Sequence, residues 1–396
     1  MNITLITCSL QCGGAERVVS LLAQGFCDRG YTVHVINLSH PSTNFYPMPV
    51  GVKLHCLDLM RKSASKLDAL KSNLTRIGTL RRAILATQPD RIITLLPQTN
   101  ILSLLATVGT GIPIYVTEHC DVQLAATNSL WEKLRRWIYP WATQVVSVSE
   151  GVDRGFHFLS PHKRSVLYNP VVPQTNDLAL PDIPGADPNR PWVVSMGRLR
   201  YQKGHDLLIQ AFAKLADRYP DWQLIILGEG TDRSSLEALR DRLGLRDRVL
   251  MPGSVQKIAA VLHHAQLFVM ASRFEGFPMA HCEAMSSGLP IVSTDCESGP
   301  REIIRHHVDG LLVPPENVEA IAAGMETLIA NPQMREQFAK RAPDILQRFG
   351  MDKIITQWET LMQCSADGTY DGFKAKTKKR KSRQPRFTTS QPSNAN

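Results

Sequence analysis

The chain has 396 residues, 43% of them hydrophobic, with a mean hydropathy of −0.14. Those values fit two soluble domains of ordinary size and argue against a membrane-embedded or wholly disordered protein. The formal charge of +9 gathers in segment 61–82 and in the tail 365–396, which reads as disordered; with few interleaved aromatics, neither resembles a nucleic-acid module.

The first residues, MNITLITCSL, lack a basic n-region and read as a first strand (2–7), not a signal peptide. A helix over Ala15–Arg29 and a strand over Tyr31–Leu38 follow. Placed on a helix, segment 61–82 puts Leu67, Leu70, Leu74 and Ile77 on one side. Arg61, Lys71, Arg76 and Arg82 fall on the other, with Lys66 and Arg81 on the flanks and Gly78 as a candidate break. Two readings stand: a packed helix with a solvated outer face, or a basic face for anionic lipid or a polyprenyl pyrophosphate. Residues 92–117 carry no charge, but their prolines, glycines and amides divide them into strand, helix from about Thr99, turn and strand. In NSLWEKLRRWIYPW (128–141), Trp131, Trp137, Tyr139 and Trp141 lie among Lys133, Arg135 and Arg136, a composition suited to a bilayer interface.

Six prolines between Asn169 and Pro191 mark a linker. The predicted organisation is a first domain over 1–172, a linker over 173–191 and a second domain over 192–348. A terminal helix over 349–364 is expected to return to the first domain. Apolar runs at 192–196, 223–227, 248–252, 267–271, 290–294 and 310–314 alternate with helices in the second domain. The fold class is therefore α/β, with two doubly wound Rossmann-like domains facing across a cleft at the carboxyl ends of their strands.

The stretch EGFPMAHCEAMSSGLPIVSTD (275–295) is the most informative. A helix from Pro278 to Ser287, closed by Gly288, places Glu275 in the preceding loop and Glu283 about a turn and a half inside. The N–H groups of Gly276, Phe277 and Met279 would then face an anion. Arg198 and Lys203 lie in the loop after the strand 192–196 and would neutralise a diphosphate. In the first domain, Gly13-Gly14 lets a ligand approach the backbone. The G-x-G-x-x-G fingerprint is absent and no acidic residue ends the second strand, which argues against a dinucleotide enzyme. Eight scattered cysteines form no Cys-x-x-Cys pair, the adjacent pairs His263-His264 and His306-His307 chelate poorly, and no Asp-x-Asp occurs, so no metal is expected.

The set GGAERV (13–18), TEH (117–119), VSVSEGV (146–152), YNPV (168–171), GRLRYQKG (197–204), LGEG (227–230), PGSV (252–255), Glu-x₇-Glu and SGPREII (298–304) resembles the family 4 retaining glycosyltransferases with the GT-B fold. The likeness spans about residues 1–363. It implies that Arg198 and Lys203 hold the donor diphosphate, that Glu275 contacts the donor sugar and Glu283 the ribose, and that His119 lies near the transferred sugar. Gly14 would approach the diphosphate or the acceptor. Phe277, Pro278, Met279 and Ala280 would bind phosphate and sugar, while Gly253, Ser254 and Val255 would flank the base. The donor implied is a UDP-sugar, and the chemistry is same-face, metal-independent transfer with no cofactor; Glu275 as a covalent nucleophile is the alternative. SGPREII most resembles members that extend lipid-linked oligosaccharides in bacterial surface-glycan assembly. With the scattered, unpaired cysteines and the basic and aromatic segments 61–82 and 128–141, the expectation is a cytoplasmic protein peripheral on an anionic membrane surface, with acceptor or membrane candidates Lys66, Lys71, Arg76, Arg82, Trp131, Arg135 and Arg136. A soluble acceptor, a nucleotide-sugar epimerase of the same fold and a non-catalytic sensor remain as other readings.

Overall fold

The computed structural model describes residues 1–60, 66–120, 129–174 and 179–367. The first sheet contains seven parallel strands: β1 (Asn2–Thr7), β2 (Thr32–Asn37), β3 (Lys53–Cys56), β4 (Arg91–Leu95), β5 (Ile114–Glu118), β6 (Gln144–Ser147) and β7 (Arg164–Val166). Their order is β3-β2-β1-β4-β5-β6-β7. The second sheet contains six: β8 (Trp192–Met196), β9 (Gln223–Leu227), β10 (Val249–Gly253), β11 (Leu267–Met270), β12 (Ile291–Thr294) and β13 (Gly310–Val313), in the order β10-β9-β8-β11-β12-β13. The central strands are continuous apolar runs because helices cover both faces. In each sheet the winding reverses beside the first strand, between β1 and β4 and between β8 and β11, and a crevice opens there at the carboxyl ends.

The short strands β3 and β7 were not expected from the sequence. Both are outer strands of three or four residues, and KLHC and RSV carry too little apolar alternation to announce themselves. The helix Lys66–Ala86 runs through Gly78 without a break. Its inward face also differs from expectation: Leu80 and Ile84 are buried, whereas Leu74 is 64% exposed. The buried apolar positions lie further along the helix, which packs against the helix Pro97–Ala106.

The terminal helix Met351–Asp367 packs on the helix Gly14–Asp28 of the first domain. Ile354, Ile355, Trp358 and Leu361 are buried. Gly25, on the helix Gly14–Asp28, has no room for a Cβ, which would stand 2.5 Å from Ile355. Tyr31 donates to Glu359 at 2.9 Å, and Arg29 pairs with Asp352 at 2.9 Å. The crossing point is aromatic: Tyr168, Phe277 and Phe349 have ring centroids 4.9–5.5 Å apart, and the Val171 N–H donates to the Phe349 carbonyl at 2.8 Å. Among the described residues no helix is long and apolar enough to cross a membrane.

Candidate functional site

The helix in the informative stretch runs from Met279 to Ser286. Pro278 stands one position earlier than expected, as the N-cap, with extended backbone (φ −69°, ψ 103°). Gly288, in the left-handed region at φ +80°, ends the helix: its N–H reaches Met285 O and the Leu289 N–H reaches Ala284 O, both at 3.0 Å. The N–H groups of Met279 and Ala280 lie in the first turn, where no intrahelical acceptor exists. Glu283 follows one turn later.

Two loops meet above the β8/β11 crevice. Lys203 Nζ lies 2.6 Å from Glu275 Oε1, and Ser272 Oγ donates to the same oxygen at 2.7 Å. The aliphatic stem of Lys203 crosses Gly197, where a Cβ would stand 3.2 Å from it. Gly204, at φ +60°, fits against the Ala271 carbonyl where any side chain would collide. Arg273 stitches the loops together. Its N–H donates to Gln202 O at 2.8 Å, and its guanidinium forks onto Asp206 at 2.8 and 2.9 Å and stacks 3.9 Å over the Tyr201 ring. Arg198 is exposed on the same loop.

The first domain closes the cleft from the other side. A Cβ on Gly14 would touch Met279 Cγ at 3.7 Å, so the helices Gly14–Asp28 and Met279–Ser286 bring their N-termini together. Both positive dipole ends therefore converge on one place. Gly276 packs directly on the His119 carbonyl, and Gly151 on Ser298. Glu302, from the SGPREII segment, accepts the N–H groups of Glu150 at 2.9 Å and Gly151 at 3.2 Å. Arg17 reaches across to Glu283, Nε to Oε1 at 3.9 Å, with its guanidinium 5.6 Å from the Tyr46 ring centroid. Burial raises the Glu283 carboxyl while Arg17 pulls it down.

His119 is brought to the cleft beside Gly276, but its ring turns inward: Nε2 is 2.9 Å from Thr117 Oγ1. Burial pushes its pKa down to about 4, so the imidazole is neutral at ordinary pH. The preceding Glu118 faces the other side of the sheet. It accepts from Tyr139 and from Asn100, the latter at 3.2 Å, and burial raises it to about 7.

At the far end of the second crevice, Gly253 adopts φ +92°, Ser254 is exposed, and Glu229 lies over Gly253 while it pairs with Arg233 at 2.6 Å. Among the described residues, the first-domain candidates do not form one surface. Arg135 is 3% exposed and lies over the Phe156 ring, so it is not available to a bilayer, while Trp131 is partly buried against the core. Arg76 is tied to Leu59 O at 2.8 Å. Arg82 and Arg136 are exposed, as is Trp137 at 81%. Lys66 and Lys71 belong to the helix Lys66–Ala86, with side chains outside the described residues, as is Arg61.

Arg17, Tyr46, Ser272 and Arg273 escaped the sequence reading. Arg17 was inside a motif already noted, GGAERV; Tyr46 gave no signal, since only tertiary folding brings its loop to the cleft.

Residues 13–171 match the glycosyl transferase 4-like domain, and residues 178–344 match the glycosyl transferases group 1 domain. A relative from Campylobacter jejuni is 26% identical over 363 residues, covering 91% of this chain and 98% of the relative. It is a GalNAc-alpha-(1->4)-GalNAc-alpha-(1->3)-diNAcBac-PP-undecaprenol alpha-1,4-N-acetyl-D-galactosaminyltransferase. The structure of Anabaena Alr3699/HepE in complex with UDP superposes with a TM-score of 0.72 at 20% identity, covering 92% of this chain and all of that one. Sucrose-phosphate synthase from Thermosynechococcus elongatus superposes at 0.79 with 18% identity, covering 93% and 99%. The facing crevices, the two family matches and these likenesses agree: the chain belongs to the glycosyltransferases of the GT-B fold, a 4-like domain followed by a group 1 domain.

Proposed function

We propose that the chain is a family 4 retaining transferase. It moves a hexose or N-acetylhexosamine from a UDP-sugar to a hydroxyl of a polyprenyl-diphosphate-linked glycan, without a metal. The observation that carries this reading is the Lys203–Glu275 pair at the β8/β11 crevice, beneath two converging helix N-termini. Arg198, Lys203 and the first-turn N–H groups of Met279 and Ala280 hold the diphosphate. Glu275 accepts hydroxyls of the donor sugar and Glu283 those of the ribose, with the base beside Gly253, Ser254 and Val255. As the anomeric C–O bond breaks, its electron pair passes to the β-phosphate oxygen, where these fixed positive groups act more strongly on the transition state than on the ground state. The acceptor hydroxyl attacks from the same face and gives its proton to the departing phosphate. Neutral His119 lies behind the sugar and adds no competing charge.

The lipid-linked acceptor rests on the activity of the Campylobacter relative and on the exposed Arg82, Arg136 and Trp137. These suit a cytoplasmic protein held on an anionic membrane surface. The test is a donor screen with lipid-linked acceptors, read by nucleoside diphosphate release and product mass. Release that requires acceptor supports transfer, whereas equal release without it points to the epimerase reading. Flotation with anionic vesicles tests the membrane; recovery unchanged by anionic lipid counts against it.

A further inference from the structure

Arg17 has no part in the roles given so far, yet it stands where the two domains meet. It lies in the first turn of the helix Gly14–Asp28, whose N-terminus touches the first turn of Met279–Ser286 through Gly14 and Met279. Its side chain is 27% exposed, so it is neither buried in the core nor free in solvent. Its ion-pair partner is Glu283, at 3.9 Å. That distance is beyond N–H···O bonding, so the guanidinium fork keeps its donors. Among the described residues, no acceptor within hydrogen-bond distance engages the guanidinium. The Tyr46 ring, 5.6 Å away, holds the fork at the cleft instead of letting it fold back onto its own helix.

Arg198 lies on the second domain, in the loop after β8. It is exposed, without a hydrogen-bonded partner among the described residues, and its charge is felt at Cys12, next to the Gly13-Gly14 turn. Arg17 stands at the meeting of two helix N-termini and Arg198 follows β8, so each domain brings one guanidinium to the cleft side. Because Glu283 is beyond hydrogen-bond distance of Arg17, guanidinium donors remain for a second anion between the domains.

We propose that Arg17 is a catalytic residue that binds the donor diphosphate from the first domain, opposite Arg198 and Lys203. The inference rests on the proposed nucleotide-sugar reading. It adds a consequence: stabilisation of the leaving group is complete only when the domains are closed, because one of its cations belongs to the acceptor side. Glu283 orients Arg17 in the absence of donor and turns to the ribose when donor arrives.

The experiment is titration calorimetry of the full chain with UDP and with UMP, for wild type, Arg17→Gln and Arg17→Lys. The ratio of the two affinities isolates the β-phosphate. Wild type should bind UDP more tightly than UMP. Arg17→Gln should lose about tenfold in UDP affinity with UMP affinity kept within twofold, and Arg17→Lys, which keeps the charge but not the fork, should fall between. An unchanged ratio in both variants, or equal losses for the two nucleotides, overturns the assignment, the latter placing Arg17 on the nucleoside through Glu283. A wild type that does not distinguish UDP from UMP overturns the donor reading itself, which separates the two failures. If Arg17→Gln does not fold, the Arg17→Lys ratio decides alone.

Discussion

Lys203 and Glu275 come from the carboxyl ends of two neighbouring strands, β8 and β11, that the chain reaches 72 residues apart, and meet at 2.6 Å. The strand order reverses at that point, so the loops after β8 and β11 diverge and leave a crevice between them. The pair spans the crevice. Ser272 shares Glu275 Oε1, and Arg273 fixes the spacing of the two loops.

Lys203→Ala removes both a cation of the proposed diphosphate site and the partner of a nearly buried carboxylate. Turnover should fall by about a hundredfold or more. Stability should drop by roughly 1–3 kcal/mol as Glu275 loses its charged donor. Steady-state kinetics and thermal melts on the same preparation check both, and near-normal turnover contradicts the role given to Lys203.

Gly276→Ala should separate the domains without unfolding either. The added Cβ would overlap the His119 carbonyl, and neither backbone can move without moving its domain. Activity should be lost while far-ultraviolet dichroism stays native, and small-angle scattering should show a larger radius of gyration. A variant with wild-type dimensions and activity would refute this contact.

Three buried histidines predict acid sensitivity. His119 and His205 are lowered to about 4 and His281 to about 3, all first by burial. In the unfolded chain each takes its proton near pH 6.5. Between about pH 6.5 and 4 the unfolded state therefore binds more protons, and stability falls as pH falls through that window. Above pH 6.5 these groups contribute no slope. The urea midpoint should be lower at pH 5 than at pH 7, and an equal midpoint would show that the rings are not buried as described.

Glu118 acts in the opposite sense. Its folded value, about 7, exceeds the unfolded value, so the fold prefers the protonated carboxyl and loses stability as pH rises from about 4.5 to 7. Glu118→Gln keeps the shape and the acceptor for Tyr139 but cannot ionise. Relative to wild type it should gain stability between pH 5 and pH 8, on the order of 3 kcal/mol. A difference between variant and wild type that does not change with pH sinks this reading.

The central strands and the Glu-x₇-Glu helix were legible because each rests on a local pattern. Apolar runs of four to six residues fix strands, Gly288 fixes a helix end, and Pro278 fixes a helix start to within one residue. The outer strands β3 and β7 were not legible, because short outer strands carry little apolar patterning. The apolar side drawn for segment 61–82 failed at Leu74, since periodicity gives a stripe but not where along it the rest of the domain makes contact. Arg135 looked like a surface cation in the sequence and is buried beside Phe156, because local composition does not reveal which turn of a helix lies over the core.

What the sequence alone determined was the alternation of strand and helix, the loops that hold Arg198, Lys203 and Glu275, and the helix that holds Glu283. These follow from local preference and spacing. Only the tertiary structure decided that Lys203 reaches Glu275, that Gly14 meets Met279, and that Arg17 crosses to Glu283. Those contacts join segments far apart in the chain, and their geometry is set by how two sheets pack through Tyr168, Phe277 and Phe349, a relation no local pattern encodes.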